Sequence, residues 1–166
     1  MSDKPAKGPG PRKPSERQLM RSAARLYAVQ ALFQMEVSGE DYRKVRKEFE
    51  DHRFGATIEG DAYREGDRDL FSDILTNAVS RQAEIDQLTD KALVDRWPIG
   101  RIDPTLRALF RAAGAELIAI HDTPPRVAIK EYVDVAGAFY PGGKEVGLVN
   151  GVVDQMARAL RPEAFT

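Results

Sequence analysis

Cysteine is absent from this chain of 166 residues. Disulfide scaffolds, thiolate metal sites and cysteine nucleophiles are excluded together, and a reducing cytoplasm is the expected compartment. Histidine is nearly absent: only His52 and His121 occur, far apart in the chain. His52 falls in a charged stretch read as loop. His121 falls at the end of a predicted helix, a position where histidine suits the dipole. Without cysteine or closely spaced histidines, no zinc site and no other metal or cofactor is expected. Long apolar runs are also missing; nothing approaches the roughly 18 residues that span a bilayer. The opening MSDKPAKGPGPRKP lacks the apolar core of a secretory signal. No stretch alternates with period two between turn signals, so no strand is expected, and nothing repeats at a fixed spacing.

What the chain does have is a charge asymmetry. The net charge is -1, yet residues 1–25 hold seven basic side chains against Asp3 and Glu16, which leaves -6 on the remainder. Residues 1–14 combine four prolines and two glycines with lysine and arginine. Such a composition buries no core and reads as a disordered basic arm. Residues 15–166 form the folded part, with subdomains expected over about 15–66 and 67–166 that share a core.

Helical period runs through that part. Ser15 and Gln18 have capping-box spacing, so a helix starts there. On its wheel Leu19, Ala23, Leu26, Val29, Gln30 and Phe33 share a broad face, with Arg17, Arg21 and Arg25 opposite and Met20 and Leu32 outside the arc. Tyr42, Val45 and Phe49 mark a short charged helix; residues 51–66 show no period and read as loop. Leu70, Phe71, Ile74, Leu75 and Ala78 begin a stripe that continues, after a break near Arg81, through Ile85, Leu88, Ala92 and Leu93 towards Trp97. Asp103-Pro104 places a capping aspartate before a proline at the first helical position. Leu106 to Ile120, Ala128 to Phe139 and Val149 to Leu160 supply three more stripes. The sum is an all-α fold of about seven helices.

Chemistry is sparse. Glu48 with Glu50 and Asp51, and Asp67 with Asp69, are paired carboxylates in wet, charge-rich windows, whereas general acid–base work needs a carboxylate held in a pocket. Pro141-Gly-Gly-Lys144 brings backbone N–H groups and a lysine near a helix start. A phosphate-binding loop of the Walker type needs a serine or threonine after the lysine, and Glu145 stands there instead. A tight turn fits, and Lys144 could still touch an RNA phosphate. No catalytic constellation is present, so no enzyme is expected.

Three arginines, 17, 21 and 25, each four residues apart, are the one feature with a chemical direction. Guanidinium is permanently charged and its planar donors suit phosphates and stack on bases. Fed by a basic arm, this ladder can follow an RNA backbone. A solvated face and an acidic protein partner stay open on pattern alone. An exposed ladder predicts that Arg21→Ala and Arg25→Ala weaken RNA binding and leave the melting temperature nearly unchanged.

Four stretches then resemble the NusB family of transcription antitermination factors: Arg25–Phe33 (RLYAVQALF), Leu109–Leu117 against "LRxAxxEL", Val127–Val133 against "VAIxEAV", and Val149–Asp154 against "FVNGVLD". They occur in order across residues 15–161. The resemblance implies an all-helical fold and binding of boxA-type single-stranded RNA. It also implies partnership with NusE, a small-subunit ribosomal protein, and with the RNA polymerase antitermination complex, in support of read-through during ribosomal RNA transcription. It places RNA contacts at Arg21 and Arg25, with Arg12, Lys13 and Arg17 able to compensate for Ser22 and Ala23, which stand where denser motifs have arginine. Gln30 matches the signature glutamine. Leu148 replaces an aromatic, so apolar contact is all it can offer RNA. Some members are fused to a ribosomal RNA methyltransferase; no methyl-donor domain, and so no such activity, is expected of this chain. The alternative is a helical protein–protein adaptor without RNA contact. A homodimer also stays open, and the residues that meet the partner are not readable.

Overall fold

Ser15 starts the first helix as its spacing predicts. Its Oγ accepts from the Gln18 backbone N–H at 3.1 Å while its own N–H donates to Gln18 Oε1 at 2.8 Å. In the computed structural model, residues 13–58, 61–62, 64–93, 96–97 and 102–166 are described. Seven α-helices occur among them: α1 Glu16–Ser38, α2 Tyr42–His52, α3 Arg68–Ser80, α4 Gln82–Leu93, α5 Pro104–Ala119, α6 Pro125–Phe139 and α7 Glu145–Leu160, followed by a 3-10 turn over Pro162–Phe165. The basic arm expected over residues 1–14 lies, through Arg12, outside the described residues.

The stops follow from local chemistry. Gly39 ends α1 at φ 73, a left-handed conformation that glycine takes without a Cβ clash. Arg81 separates α3 from α4, where the break was expected. Asp103 caps α5 through a 2.8 Å bond from the Leu106 N–H, with Pro104 in the first turn. The α6–α7 turn uses Gly142 at φ 68.

Two boundaries differ from the sequence reading. His52 is the last residue of α2, inside the helix and not in a loop. The loop after it holds a strand pair, β1 Thr57–Ile58 and β2 Asp61–Ala62, antiparallel with Thr57 opposite Ala62. Strands of two residues are too short to show a period, which is why the expectation of no strand failed here. The all-α class stands.

α5 is the hub, contacting α1, α3, α4, α6 and α7. Leu106, Leu109, Phe110 and Leu117 are fully buried on it, each worth about 1.5–3 kcal/mol in removing apolar surface from water. Gly114 lets α4 come close: a Cβ there would lie 2.5 Å from Ile85 Cγ2. α1 is nearly as enclosed, touching α2, α3, α5 and α6. Its buried residues are Ala24, Arg25, Tyr27, Ala28, Val29, Ala31 and Leu32.

That set corrects the helical wheel. Leu32 is buried, Phe33 is 37% exposed, and Leu19 and Leu26 are only half-buried. The face turned inward is the alanine-rich one that carries the arginine ladder. Alanine marks a close helix contact without adding much hydrophobicity, so a wheel weighted by large side chains points the wrong way.

Candidate nucleic-acid interface

The ladder descends from solvent into the core as α1 does. Arg17 is exposed and makes no hydrogen bond or ion pair among the described residues. Arg21 is half-way in, its side chain 16% exposed. Its Nη2 donates to Thr123 Oγ1 at 3.0 Å, and its guanidinium stands 3.7 Å from Asp67 and 3.9 Å from Asp122. Arg25 is buried, with a side chain 3% exposed.

Arg25 anchors a three-helix polar cluster. Its Nε and Nη2 donate to the Glu116 carboxylate of α5 at 2.8–3.1 Å, and its Nη1 lies 3.5 Å from Glu131 of α6. Tyr132 of α6 donates its hydroxyl to Glu116 at 2.8 Å, and Ser22 donates to Glu131 at 2.8 Å. Burial alone would lower the Arg25 pKa, but the hydrogen bond and charge of Glu116 outweigh it and hold the value raised. Burial, followed by the charge of Glu116, pushes the Tyr132 phenol well above its ordinary range. Both groups therefore stay protonated donors at any physiological pH. Arg25 is thus held mainly inside the fold, reaching only the floor of the depressions beside α1, and Ser22 completes the same cluster.

Around the exposed end of α1 lies a cleft of about 540 Å³ whose walls include Lys13, Arg17, Arg21, Arg25, Asp122 and Val127. Lys13 and Arg17 line it and have no ion-pair partner among the described residues. Neither Thr123 nor Val127 carried a binding role in the sequence, where Asp122-Thr-Pro-Pro marked the change from one helix to the next and Val127 opened a family motif.

The other expected contacts do not converge on this cleft. Gln30 lies about 20 Å further along α1 from Arg17 at 1.5 Å per residue. It lines an apolar groove of about 340 Å³ with Phe33, Val37, Phe49, Arg53 and Phe139. Arg53 Nη1 reaches its Oε1 at 3.5 Å. Lys144 caps the start of α7 and is exposed, but does not wall the α1 cleft. Leu148, to which the resemblance gave apolar contact with RNA, is 7% exposed and packs with the core. An aliphatic side chain on the inner face of α7 is drawn inward for the same reason as its neighbours Val149 and Val152.

Arg111 serves the scaffold, its Nε and Nη2 donating to Asp86 of α4 at 3.0 and 2.9 Å. No helix among the described residues is long and apolar enough to cross a membrane.

Known proteins share both the sequence and this architecture. The NusB family model matches residues 22–158. A transcription antitermination protein NusB of Rhodopseudomonas palustris (strain BisB18) is 47% identical over 146 residues, covering 88% of this chain and 86% of its own. That of Maricaulis maris (strain MCS10) is 45% identical over 153 residues, covering 92% and 95%. Among solved structures, T. maritima NusB superposes with a TM-score of 0.66 at 25% identity, over 93% of this chain and 99% of that one. A structure of the antitermination factors NusB and NusE in complex with double-stranded RNA shares the fold, with a TM-score of 0.62 at 22% identity over 83% and 96%. With a family model across most of its length and relatives this similar over nearly all of theirs, the chain belongs to the NusB family of transcription antitermination proteins.

Proposed function

We propose that this protein is a non-catalytic adaptor that binds boxA-type single-stranded RNA together with NusE and supports read-through by RNA polymerase, notably in ribosomal RNA transcription. The observation that carries the reading is the unpaired positive charge of Lys13 and Arg17 at the mouth of the α1 cleft, continuous with the basic arm that bears Arg12. A charged side chain without a carboxylate partner, beside a concave wall, suits a phosphate. Arg21 contributes from deeper in the cleft. A neighbour of the same fold was solved with NusE and double-stranded RNA, which makes NusE and RNA the partners to test.

The apolar groove suits a different kind of contact. Phe33 and Val37 are exposed at 37% and 58%, and a contiguous apolar surface of this kind marks protein association more than phosphate binding. We assign it to NusE, so that RNA and protein occupy different stretches of α1.

Anisotropy titrations with a labelled boxA-type RNA and its scrambled counterpart, with and without NusE, test the reading. About three to five phosphate contacts at about 0.7 each give a slope of log affinity against log salt of roughly -2 to -4. Preference for boxA and tighter binding with NusE are expected. Binding of NusE with no RNA preference at all would leave the protein–protein adaptor as the better account. Introducing charge into the groove with Phe33→Asp and Val37→Asp is expected to abolish the gain from NusE while leaving RNA binding alone within about two-fold. Loss of both together would place the RNA in the groove.

A further inference from the structure

The Arg126 guanidinium carbon sits 4.9 Å from the centre of the Phe165 ring, and that of Arg158 sits 4.5 Å from the same ring. The two arginines differ in their remaining partners. Arg158 donates its Nε to Asp154 at 2.9 Å. Arg126 is exposed and has no hydrogen bond or ion pair among the described residues. A guanidinium held by its face on an aromatic ring keeps its N–H edge free for a planar acceptor. The nearby basic residue Lys130 is matched by Asp134 at 3.0 Å. Arg126 is thus the unbalanced charge of this end of α6, although Asp122, Glu131, Asp134 and Asp154 all lie on the same side of the molecule.

Its position continues the cleft already described. Val127, 43% exposed, walls the α1 cleft and also the next depression, between α1 and α6. Lys130 walls that second depression and a third, between α6 and α7, which Arg126 and Asn150 also line. Through these shared residues the three run together over α6, with Arg21, Lys130 and Arg126 set around the exposed Val127 and with Glu131, Asp134 and Asp154 also in the walls. A positively charged groove that tracks the backbone is how single-stranded nucleic acid is held without base-specific readout, and Val127 can add apolar contact.

We propose that Arg126, seated on Phe165, is a further RNA-contacting residue that carries the strand from the α1 cleft across the start of α6, with Phe165 as its positioning residue. The assignment rests on the RNA-binding reading above and names a segment of the path that the arginine ladder does not supply. Phe165 acts by limiting the freedom of the guanidinium, so that less is lost when a phosphate is bound.

The two roles separate under salt. With labelled boxA-type RNA near 0.1 M salt, Arg126→Ala is expected to weaken binding about 3- to 5-fold and make the salt slope less negative by about 0.7, the share of one phosphate. Phe165→Leu keeps the charge, so a loss of about 2-fold with an unchanged slope is expected, in keeping with a surface cation–π contact. Both variants should melt with the unaltered protein. Wild-type binding to boxA-type RNA with no change of affinity or slope in Arg126→Ala overturns this assignment alone. A loss seen only in the NusE titration moves the stack to the protein partner and overturns it as well. Failure of the unaltered protein to bind boxA-type RNA removes the functional reading and this one with it.

Discussion

Arg25→Ala is expected to cost about 3–5 kcal/mol of stability, the range for removing one partner of a buried ion pair. For a domain of this size that is a drop in melting temperature of roughly 6–20 °C. The geometry sets the scale. Glu116 is fully buried and accepts from Arg25 Nε, Arg25 Nη2 and the Tyr132 hydroxyl. Take the guanidinium away and a carboxylate stays in the core with a single phenol for company. Glu131 loses a cation at the same time and keeps only Ser22. Arg25→Lys should rescue little, because an ammonium cannot span both Glu116 oxygens as the planar fork does. The double variant Arg25→Met with Glu116→Leu is expected to regain most of the loss, since apolar side chains of similar volume often replace a buried pair at little cost. Calorimetry on the unaltered protein, Arg25→Met, Glu116→Leu and the double variant checks this as a double-mutant cycle. If Arg25→Ala melts with the unaltered protein and only RNA affinity falls, the side chain faces solvent and the cluster is wrong.

The same cluster explains why the ladder misled. Spacing of four puts Arg17, Arg21 and Arg25 on one stripe, and that much was legible. Depth is not in the spacing. The stripe is continuous with Ala24, Ala28 and Ala31, whose small side chains let α5 come close, and α5 brings the acid. Only one half of the pair was visible at a time: Arg25 in one motif and Glu116, 91 residues later, in another. Both motifs were recognised, but nothing in either says that they face each other. Helix starts, by contrast, were readable because a cap is local: Ser15 with Gln18, and Asp103 before Pro104, need no distant partner. The Arg126–Phe165 stack escaped for the opposite reason. It joins a helix start to the last turn of the chain, and neither carries a motif.

Exposure along the ladder also orders the consequences of substitution. Arg21 serves two ends. Its bond to Thr123 and its nearness to Asp67 tie α1 to the loop before α6 and to the cap of α3. Its replacement should therefore lower both stability, by about 1 kcal/mol for a part-buried hydrogen bond, and RNA affinity. Arg17 has no internal partner to lose. From exposed to buried, the ladder passes from binding to folding within two turns of helix.

The double variant Lys13→Ala with Arg17→Ala is expected to lose about 25-fold in affinity for boxA-type RNA near 0.1 M salt, with no change in melting temperature. Each phosphate contact to a single strand contributes about 0.7 to the salt exponent, hence about 5-fold at that ionic strength. Two independent contacts multiply, and the slope should become less negative by about 1.4. Neither side chain has an ion pair within the described residues, so there is no folded-state interaction for the change to remove. Titrations at several salt concentrations separate this from a general loss of fold, which would reduce affinity without a matching change in exponent. Charge should suffice at Lys13, where an arginine would bind alike. At Arg17, replacement by lysine should preserve the slope and still weaken binding, because an ammonium gives up the bidentate contact to a phosphate. An unchanged affinity in the double variant would shift the phosphate contacts onto the arm that bears Arg12, or off α1 altogether. A loss matched by a lower melting temperature would mean that the exposed end of α1 is held by contacts these side chains make, and the ladder would be structural along its whole length.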